Sequence, residues 1–278
     1  MTPVSTQDLQ IWSNYIKSVC GNHIDGNKAY LVENRLFPLM QETKSTSWLE
    51  LYSKVKSDLT GTLKRKVINA ITTNETSFFR DSITFELLQY KIMPDLFDAR
   101  QKQYSNGEIP IRIWSAACST GQELYSTAII ISEMLEGKRQ FDVRLLGTDI
   151  SDNVIAKASY AKFNQLEIER GMPQAKLDKF FIKDGNLWKI RDEIRAMATF
   201  KLLNLLEPYY FPYKFDLILC RNVAIYFTEE DKKKLYSRLA DALAKDGFLI
   251  IGSTESIGDL CPKLKPFRYV RSVYYQLG

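Results

Sequence analysis

From about residue 110 onward, short apolar segments alternate with longer amphipathic ones, and this alternation constrains the fold more than any other feature. The apolar segments IRIWSAA, FDVRLLGTDIS, KFDLILCRNV and FLIIGSTES indicate strands. The segments ELYSTAIIISEMLEG, DNVIAKASYAKF and EEDKKKLYSRLADALAKDG indicate helices, the last ending at Gly247. Such alternation predicts an α/β fold with a doubly wound, mostly parallel sheet. The final segment, FRYVRSVYYQL, indicates one last strand, and since no obvious helix separates it from FLIIGSTES, the two are expected to form an antiparallel edge hairpin.

The first part of the chain has a different rhythm. In LQIWSNYIKSVC, AYLVENRLFPLMQET, SWLELYSKV and GTLKRKVINAITT, apolar residues recur at three- and four-residue spacing, which is typical of amphipathic helices. We therefore predict an all-helical N-terminal domain over residues 1–85 and an α/β domain over residues 86–278. Within the second domain, the turn Asp184-Gly185-Asn186 is flanked by alternating residues and predicts a small β insertion near residues 183–202.

Composition narrows the functional classes. Hydrophobic residues make up 45% and charged residues 26% of the 278, as in ordinary globular proteins, and the net charge of +5 is too small to indicate nucleic acid. The cysteines show no CxxC spacing, no signal segment begins the chain, and no apolar run approaches the ~20 residues that span a bilayer. We expect a cytoplasmic protein without membrane insertion. With His23 as the single histidine, a histidine-based zinc site cannot be built.

Small or polar residues follow three of the predicted strands. They are Ser115 to Gly121, then Gly147-Thr148-Asp149, then Cys220-Arg221-Asn222. Ligands of open α/β sheets bind beyond the carboxyl ends of the strands, so these residues are expected to share one site. Gly121 permits a tight turn into the next helix, and an acid at the position of Asp149 is suited to a ribose diol.

The first of these turns is not a GxGxxG sequence and lacks the glycines that cradle phosphates. This argues against a dinucleotide, whose pyrophosphate needs close backbone approach. An adenosine ligand without phosphates fits better, and S-adenosylmethionine is the common one. Taken alone, the stretch is also compatible with a tight turn that has only a structural role.

Five motifs occur in order along the chain: NETSFFRD (74–81), WSAACSTGQELYS (114–126), TDIS (148–151), NLLEP (204–208) and FDLILCRNVAIYF (215–227). Through them the chain resembles the chemotaxis receptor methyltransferase family, CheR, over nearly its whole length. The resemblance implies a class I S-adenosylmethionine-dependent methyltransferase sheet. It implies methyl transfer to glutamate side chains on the cytoplasmic helices of chemoreceptors, which yields glutamyl methyl esters and S-adenosylhomocysteine.

The resemblance also implies residue roles. By position, the cofactor contacts are Asn74, Thr76, Arg80, Glu123, Asp149, Asn204, Leu205, Arg221 and Asn222. Arg80 and Tyr226 match the positions assigned to the transfer itself. A glutamate with a reference pKa of about 4.3 is already ionised at neutral pH, so the reaction needs alignment rather than a general base, and no catalytic histidine or metal is expected.

Arg80 is expected to hold a carboxylate, of the substrate or of the cofactor, and Tyr226 to orient the methyl group or steady the sulfonium. The alternative for Tyr226 is an aromatic residue that only fills the sheet edge. The family pattern is altered at Gln122, Leu124, Ala224 and Ser253, none of which removes an implied cofactor contact. The predicted insertion is short and lacks a Gly-rich loop, so binding of a receptor's C-terminal tether peptide is not expected.

Two basic residues, Lys28 and Arg35, lie seven apart on one predicted helical face. The family resemblance implies that this helix binds the receptor. We expect them to bind the acidic methylation helices of the receptor. The cluster Lys64, Arg65 and Lys66 has an equally good explanation as a solvated helix face.

Three rival functions have less support. A nucleic-acid methyltransferase would carry an Asn/Asp-Pro-Pro-aromatic loop where this chain has CRNVAIYF. A cofactor-sensing adaptor without turnover would not need Arg80 and Tyr226, and a nicotinamide-dependent oxidoreductase would need the missing phosphate turn. We expect a monomeric enzyme without a nucleic-acid partner.

Overall fold

The computed structural model describes residues 3–24, 26–104, 107–136 and 140–278. Its first part is helical, with α1 Thr6–Cys20, α2 Ala29–Glu42, α3 Trp48–Ser57 and α4 Thr62–Ile71. The hydroxyls of Ser5 and Ser47 accept backbone N–H groups in the first turns of α1 and α3, which satisfies donors that a helix start leaves unpaired. These bounds confirm the helices that the sequence predicts.

Trp12 lies at the centre of this helical domain. It is fully buried, and its indole nitrogen donates to the carbonyl oxygen of Trp48 at 3.3 Å. Tyr15 and Tyr52 meet its ring edge to face, an arrangement that aromatic pairs favour. The aromatic cluster therefore ties α1 to α3.

Packing separates the two domains earlier than the sequence suggested. The apolar core of the helical domain extends to Ile71, whereas Phe78 and Phe85 belong to the core beneath the sheet. By this measure the helical domain ends between residues 71 and 78 rather than at residue 85. Residues 72–81, here called the arm, connect the two domains.

The remaining elements follow in chain order: α5 Ser82–Leu87, α6 Met93–Gln103, β1 Ile109–Ala116, α7 Gln122–Met134, β2 Phe141–Asp149, α8 Asp152–Tyr160, β3 Lys162–Phe163, α9 Gln165–Glu169, α10 Gln174–Phe180, β4 Phe181–Asp184, β5 Leu187–Ile190, α11 Asp192–Arg195, β6 Ala198–Leu202, β7 Phe215–Cys220, α12 Glu229–Ala242, β8 Leu243–Ile251, β9 Leu264–Tyr269 and β10 Ser272–Leu277. A π-helical turn, Leu88–Ile92, joins α5 to α6. In the described part of the chain, no helix has the length and apolarity that crossing a membrane requires.

The main sheet has the strand order β6-β2-β1-β7-β8-β10-β9. Neighbours from β6 to β8 are parallel, and β10 is antiparallel to β8 and β9. Every residue of β7 is buried, as expected for a parallel strand with helices on both faces. The doubly wound sheet and the antiparallel pairing of the last strand with β8 are confirmed. The segment FRYVRSVYYQL, predicted as one strand, spans two, β9 and β10, which form the edge hairpin. The carboxyl ends of the parallel strands lie along one edge.

Gly247 has a different role from the one expected. Helix α12 ends at Ala242, and Gly247 lies inside β8. A Cβ atom there would sit 3.0 Å from the carbonyl oxygen of Phe215, where the pairing of β7 with β8 shifts register. Gly247 therefore allows two strand backbones to approach, and strand pairing overrides the helical character of LAKD.

The insertion lies between α8 and β6 and is larger than expected. Its sheet has the order β3-β5-β4, and the turn Asp184-Gly185-Asn186 joins β4 to β5 as predicted. The predicted bounds of 183–202 are corrected at both ends, because the small sheet begins at Lys162 and Ala198–Leu202 pairs with β2 of the main sheet. As an edge strand β6 is largely exposed, so its sequence resembles that of a hairpin strand.

An ionic cluster with a buried arginine lies toward the amino ends of β7 and β8. Arg100 of α6 is 5% exposed and donates to Asp216 at 2.5 and 2.8 Å and to Asp246 at 2.6 and 2.8 Å. Asp216 also accepts the backbone N–H of Arg112 at 2.7 Å. These hydrogen bonds offset the desolvation of the buried charges and fasten α6 to the sheet.

Candidate active site

A cavity of about 920 Å³, including its open mouth, lies at the carboxyl edge of the main sheet. The end of α1 and the arm form one side, and the turns after β1, β2, β6 and β7 form the other. Because each parallel strand ends at this edge, residues far apart in sequence meet here. The two domains therefore share one site.

Small residues in unusual backbone conformations form the turn after β1. Ala117 and Ser119 have φ values of +64° and +49°, and Gly121, which precedes α7, has +92°. A Cβ atom on Gly121 would lie 3.0 Å from Cβ of Ala158 and 3.2 Å from the ring of Tyr125. Both space and conformation require glycine there, as the sequence predicted. Positive φ values cost energy at alanine and serine, and such strain is typical of ligand sites.

Asp149 ends β2 and faces the cavity with a carboxylate that is 8% exposed. Its two oxygens accept the backbone N–H groups of Ser119 at 2.9 Å and Ser151 at 3.1 Å. Burial raises the pKa of Asp149, and these two hydrogen bonds oppose that shift. Each carboxylate oxygen can accept more than one hydrogen bond, so acceptor capacity remains for a diol.

Arg221 joins three segments beneath the cavity. Its side chain is 2% exposed and donates to Glu123 at 2.9 Å, to Asp81 at 2.6 Å and to the carbonyl oxygen of Arg80 at 2.9 Å. Glu123 in turn accepts the hydroxyl of Ser115 at 2.8 Å. Within the described residues, the buried Nε of Arg221 has no hydrogen-bond partner. Because this atom is itself buried, the cavity does not expose it, and Arg221 meets the site mainly by holding Glu123 and the arm in place.

The arm lies across the cavity in a bent conformation. Its Asn74 carbonyl oxygen accepts the hydroxyl of Ser119 at 2.9 Å, and Arg80 donates to the carbonyl oxygen of Glu75 at 2.8 Å. Phe79, at φ +50°, donates its backbone N–H to the hydroxyl of Ser126 at 3.0 Å. These bonds hold the arm against the turn after β1 and against α7.

The helical domain closes the opposite end. The side-chain amide of Asn204 donates to the carbonyl oxygen of Val19 at 3.2 Å, and its oxygen accepts the N–H of Leu206 at 3.0 Å. The N–H of His23 donates to the carbonyl oxygen of Tyr226 at 3.1 Å. Polar bonds thus fasten the end of α1 to the loops after β6 and β7.

Lys28 and Arg35, the residues predicted to bind the receptor, lie outside the cavity. Lys28 is exposed and precedes α2, whereas Arg35 is half-buried within it. The guanidinium of Arg35 donates to the carbonyl oxygens of Ala70, Ile71 and Thr72 at 3.3, 3.1 and 2.8 Å. These contacts give Arg35 a structural role at the start of the arm, and the receptor-binding role of both residues stays a prediction.

The chain matches two family models that together cover most of its length. The CheR methyltransferase all-alpha domain matches residues 7–72, and the CheR methyltransferase SAM binding domain matches residues 74–270. The chain belongs to the CheR methyltransferase family. The two matched regions meet near the point where the packing separates the domains.

Relatives agree with this assignment. The chain is 35% identical to chemotaxis protein methyltransferase 1 of Pseudomonas aeruginosa over 257 residues, or 91% of each chain. It is 32% identical to chemotaxis protein methyltransferase Cher2 of Pseudomonas putida over 97% of each chain. It is 34% identical to the chemotaxis protein methyltransferase of Vibrio anguillarum over 99% of this chain and 98% of that one.

The cavity brings together all of the residues for which the family resemblance implied a cofactor or transfer role. The lining includes Asn74, Thr76, Arg80, Glu123, Asp149, Asn204, Leu205, Arg221, Asn222 and Tyr226. Their individual roles stay predictions. The amide of Asn204 is engaged by the protein itself, so its predicted adenine contact would rely on its remaining surface.

Two acids outside the set predicted from the sequence support this lining. Asp81 pairs with Arg221, and Glu255 accepts the backbone N–H groups of Asn222 and Gly252, each at 2.8 Å. Asn222 has φ +57°, so Glu255 holds a strained residue in place. An acid within the small-residue turn GSTES was the available signal for Glu255, whereas Asp81 gave none beyond its place in NETSFFRD.

Proposed function

We propose that this protein transfers the methyl group of S-adenosylmethionine to glutamate side chains on the cytoplasmic helices of chemoreceptors. The products are glutamyl methyl esters and S-adenosylhomocysteine, and the reaction serves receptor adaptation. The observation that carries the proposal is the convergence of ten motif residues on one cavity in a chain of the CheR methyltransferase family.

The cavity wall fits an adenosyl sulfonium without phosphates. Asp149 and Glu123 are carboxylates in the wall, and a buried carboxylate repels a pyrophosphate but suits a ribose diol or an ammonium group. The guanidinium of Arg80 lines the cavity and keeps donors that suit a carboxylate. Leu205 contributes an apolar side chain to the cavity lining, which suits a purine. In our proposal Asp149 holds the ribose, Leu205 and Asn204 the adenine, and the remaining predicted contacts the amino-acid part.

The chemistry places modest demands on this chain. When bound, the cofactor supplies an electrophilic methyl group on a sulfonium. Because a glutamate substrate is ionised at neutral pH, no side chain has to remove a proton. The protein's task is to align the carboxylate and exclude water, and orientation of this kind can account for ~7–11 kcal/mol of a barrier.

Arg80 and Tyr226 are the side chains proposed to provide that alignment. Both line the cavity, one from the arm and one from the turn after β7. Arg80 retains donors beyond its bond to Glu75, so its guanidinium can also hold a carboxylate. Tyr226 carries a hydroxyl and a ring, which can orient the methyl group or face the sulfonium at about 0.5–2 kcal/mol.

The surroundings of the enzyme follow from the same proposal. Receptor methylation helices are the proposed partner, and we propose in addition that the enzyme acts in the cytoplasm as a monomer, without a metal and without nucleic acid. A basic surface that includes Lys28 would steer the acidic helices. Binding of a receptor tether peptide is not part of the proposal.

A labelling experiment tests the reaction directly. The protein is incubated with methyl-labelled S-adenosylmethionine and chemoreceptor-containing membranes, and the membranes are then treated with alkali. Release of labelled methanol is expected, because carboxyl esters are base-labile and methylated nitrogen is not. Label that resists alkali, or no transfer to any receptor fraction while S-adenosylhomocysteine binds, would contradict the proposal.

A further inference from the structure

The middle of the arm is held by the insertion. Phe78 is fully buried, and its ring meets Phe163 of β3 at 4.9 Å and Phe181 of β4 at 5.6 Å between centroids, both edge to face. Both partners are strand residues of the small sheet. An element outside the cavity lining therefore anchors the segment that closes the cavity.

Gly171, between α9 and α10, brings the insertion into backbone contact with the arm. Its φ is +113°, and a Cβ atom there would come closer than 3.0 Å to the carbonyl oxygen of Phe78. Real Cβ atoms essentially never approach a neighbour so closely, and a backbone oxygen cannot turn away as a flexible side chain can. Any side chain at this position must push Phe78, and with it the arm, away from the insertion.

The contacts continue from the insertion to the cavity. Next to Gly171, Arg170 pairs with the carboxylate of Glu75 at 2.8 Å. Glu75 lines the cavity, and its carbonyl oxygen accepts Arg80. Both side chains of this ion pair are more than half exposed, so the pair contributes little energy. It therefore cannot hold the arm in place without the backbone contact between Gly171 and Phe78.

We propose that Gly171 is a positioning residue for methyl transfer, because its close contact with Phe78 sets the distance of the arm from the sheet edge. This inference rests on the proposed function, since it gives the arm a part in holding the cofactor. Displacement of a reacting group by about 1 Å can cost roughly 100-fold in rate, so a small shift of the arm has a large effect. The insertion thereby acts on a site that it does not line.

The test compares Gly171→Ala with Gly185→Ala. Gly185 belongs to the same insertion, also has a positive φ, +59°, and would present its Cβ to open space. Both substitutions cost conformational energy, but only one pushes the arm. Hydrogen exchange of residues 72–81 is measured without ligand, S-adenosylhomocysteine affinity by calorimetry, and kcat and KM with receptor.

For Gly171→Ala we expect faster exchange in the arm, at least tenfold weaker S-adenosylhomocysteine binding and at least tenfold lower kcat, with the KM for receptor unchanged. Gly185→Ala should match the wild type in all four measurements. Equal behaviour of the two variants in arm exchange and S-adenosylhomocysteine affinity would overturn the inference.

A second variant decides the matter if Gly171→Ala does not fold. Phe78→Leu removes the ring contacts without adding an atom, and Phe180→Leu changes a similarly buried ring of the insertion at the end of α10. Faster arm exchange and weaker S-adenosylhomocysteine binding in Phe78→Leu alone support the inference, and equal effects refute it. Hydrogen exchange of the arm and S-adenosylhomocysteine affinity are measured without receptor. If the wild type methylates no receptor, the proposed function is refuted, but the comparison of arm exchange and affinity between the variants still tests the inference.

Discussion

Replacing Asp149 with asparagine should separate its effect on cofactor affinity from its effect on stability. In the protein each carboxylate oxygen accepts one backbone N–H, from Ser119 or from Ser151. An asparagine side chain of the same shape has one acceptor oxygen and one NH₂ group, so whichever way it turns, one N–H faces another donor. The side chain is 8% exposed, so water cannot readily repair this mismatch.

Two magnitudes follow for Asp149→Asn. A buried donor without a partner costs about 1–3 kcal/mol, which lowers the free energy of unfolding. Asparagine carries no charge, so the desolvation that raises the pKa of Asp149 is no longer a cost, and this offsets part of the loss. Loss of a charged hydrogen bond to the ribose costs about 1.5–3 kcal/mol. At 1.4 kcal/mol per factor of ten, cofactor affinity should fall roughly 10- to 150-fold.

Calorimetric titration with S-adenosylhomocysteine measures the affinity, and thermal unfolding without ligand measures the stability. Asp152→Asn is the matched control, because Asp152 is a neighbouring acid that accepts Asn69 at 2.6 Å and lies outside the cavity lining. We expect normal affinity in the control. Unchanged affinity in Asp149→Asn, at any stability, would refute the ribose-binding role.

The remaining predictions concern the transfer step, the receptor and the sheet. Tyr226→Phe should lower kcat at least tenfold and leave S-adenosylhomocysteine affinity unchanged, and equal losses in both would count against a role in transfer. Lys28→Glu should raise the KM for receptor and flatten its salt dependence. Arg35→Ala should instead weaken S-adenosylhomocysteine binding, because it releases the start of the arm. A raised KM only in Arg35→Ala and weaker S-adenosylhomocysteine binding only in Lys28→Glu would contradict both assignments. Arg100→Leu should lower the free energy of unfolding by about 3–5 kcal/mol, because it leaves the buried Asp216 without its guanidinium partner, and calorimetric affinity should not change. Arg100 lowers the pKa of Asp246. The stabilisation from this pair is therefore present at pH values above the ordinary carboxyl pKa and is lost as the pH falls through the lowered pKa. Denaturant titrations in acid should accordingly show a smaller loss of stability for Arg100→Leu than for the wild type.

The site is predictable from the sequence to the extent that each signal is local. The turn at Gly121 and the acid at Asp149 follow their strands directly, and parallel strands place such ends at one edge. Long-range supports have no such local signal. Arg100 finds its acids 116 and 146 residues away, and Arg221 finds Asp81 at a separation of 140.

The misjudged boundaries have a related cause. Ala198–Leu202 alternates as a hairpin strand would, and only its pairing with β2 identifies it as an edge of the main sheet. The local sequence around Gly247 predicts a helix end, and only the close approach of the Phe215 backbone identifies it as a strand residue. In both cases the local pattern suits two structures, and the partner decides between them.

The sequence by itself determined the fold class, the helical domain and the strand ends that carry the motifs, because these depend on hydrophobic period and on turn residues close together in the chain. Only the tertiary structure decided that Arg35 fastens α2 to the start of the arm and that Gly171 faces Phe78. The physical reason is that such roles depend on which backbone passes within contact distance. A pattern of residue types does not encode that distance.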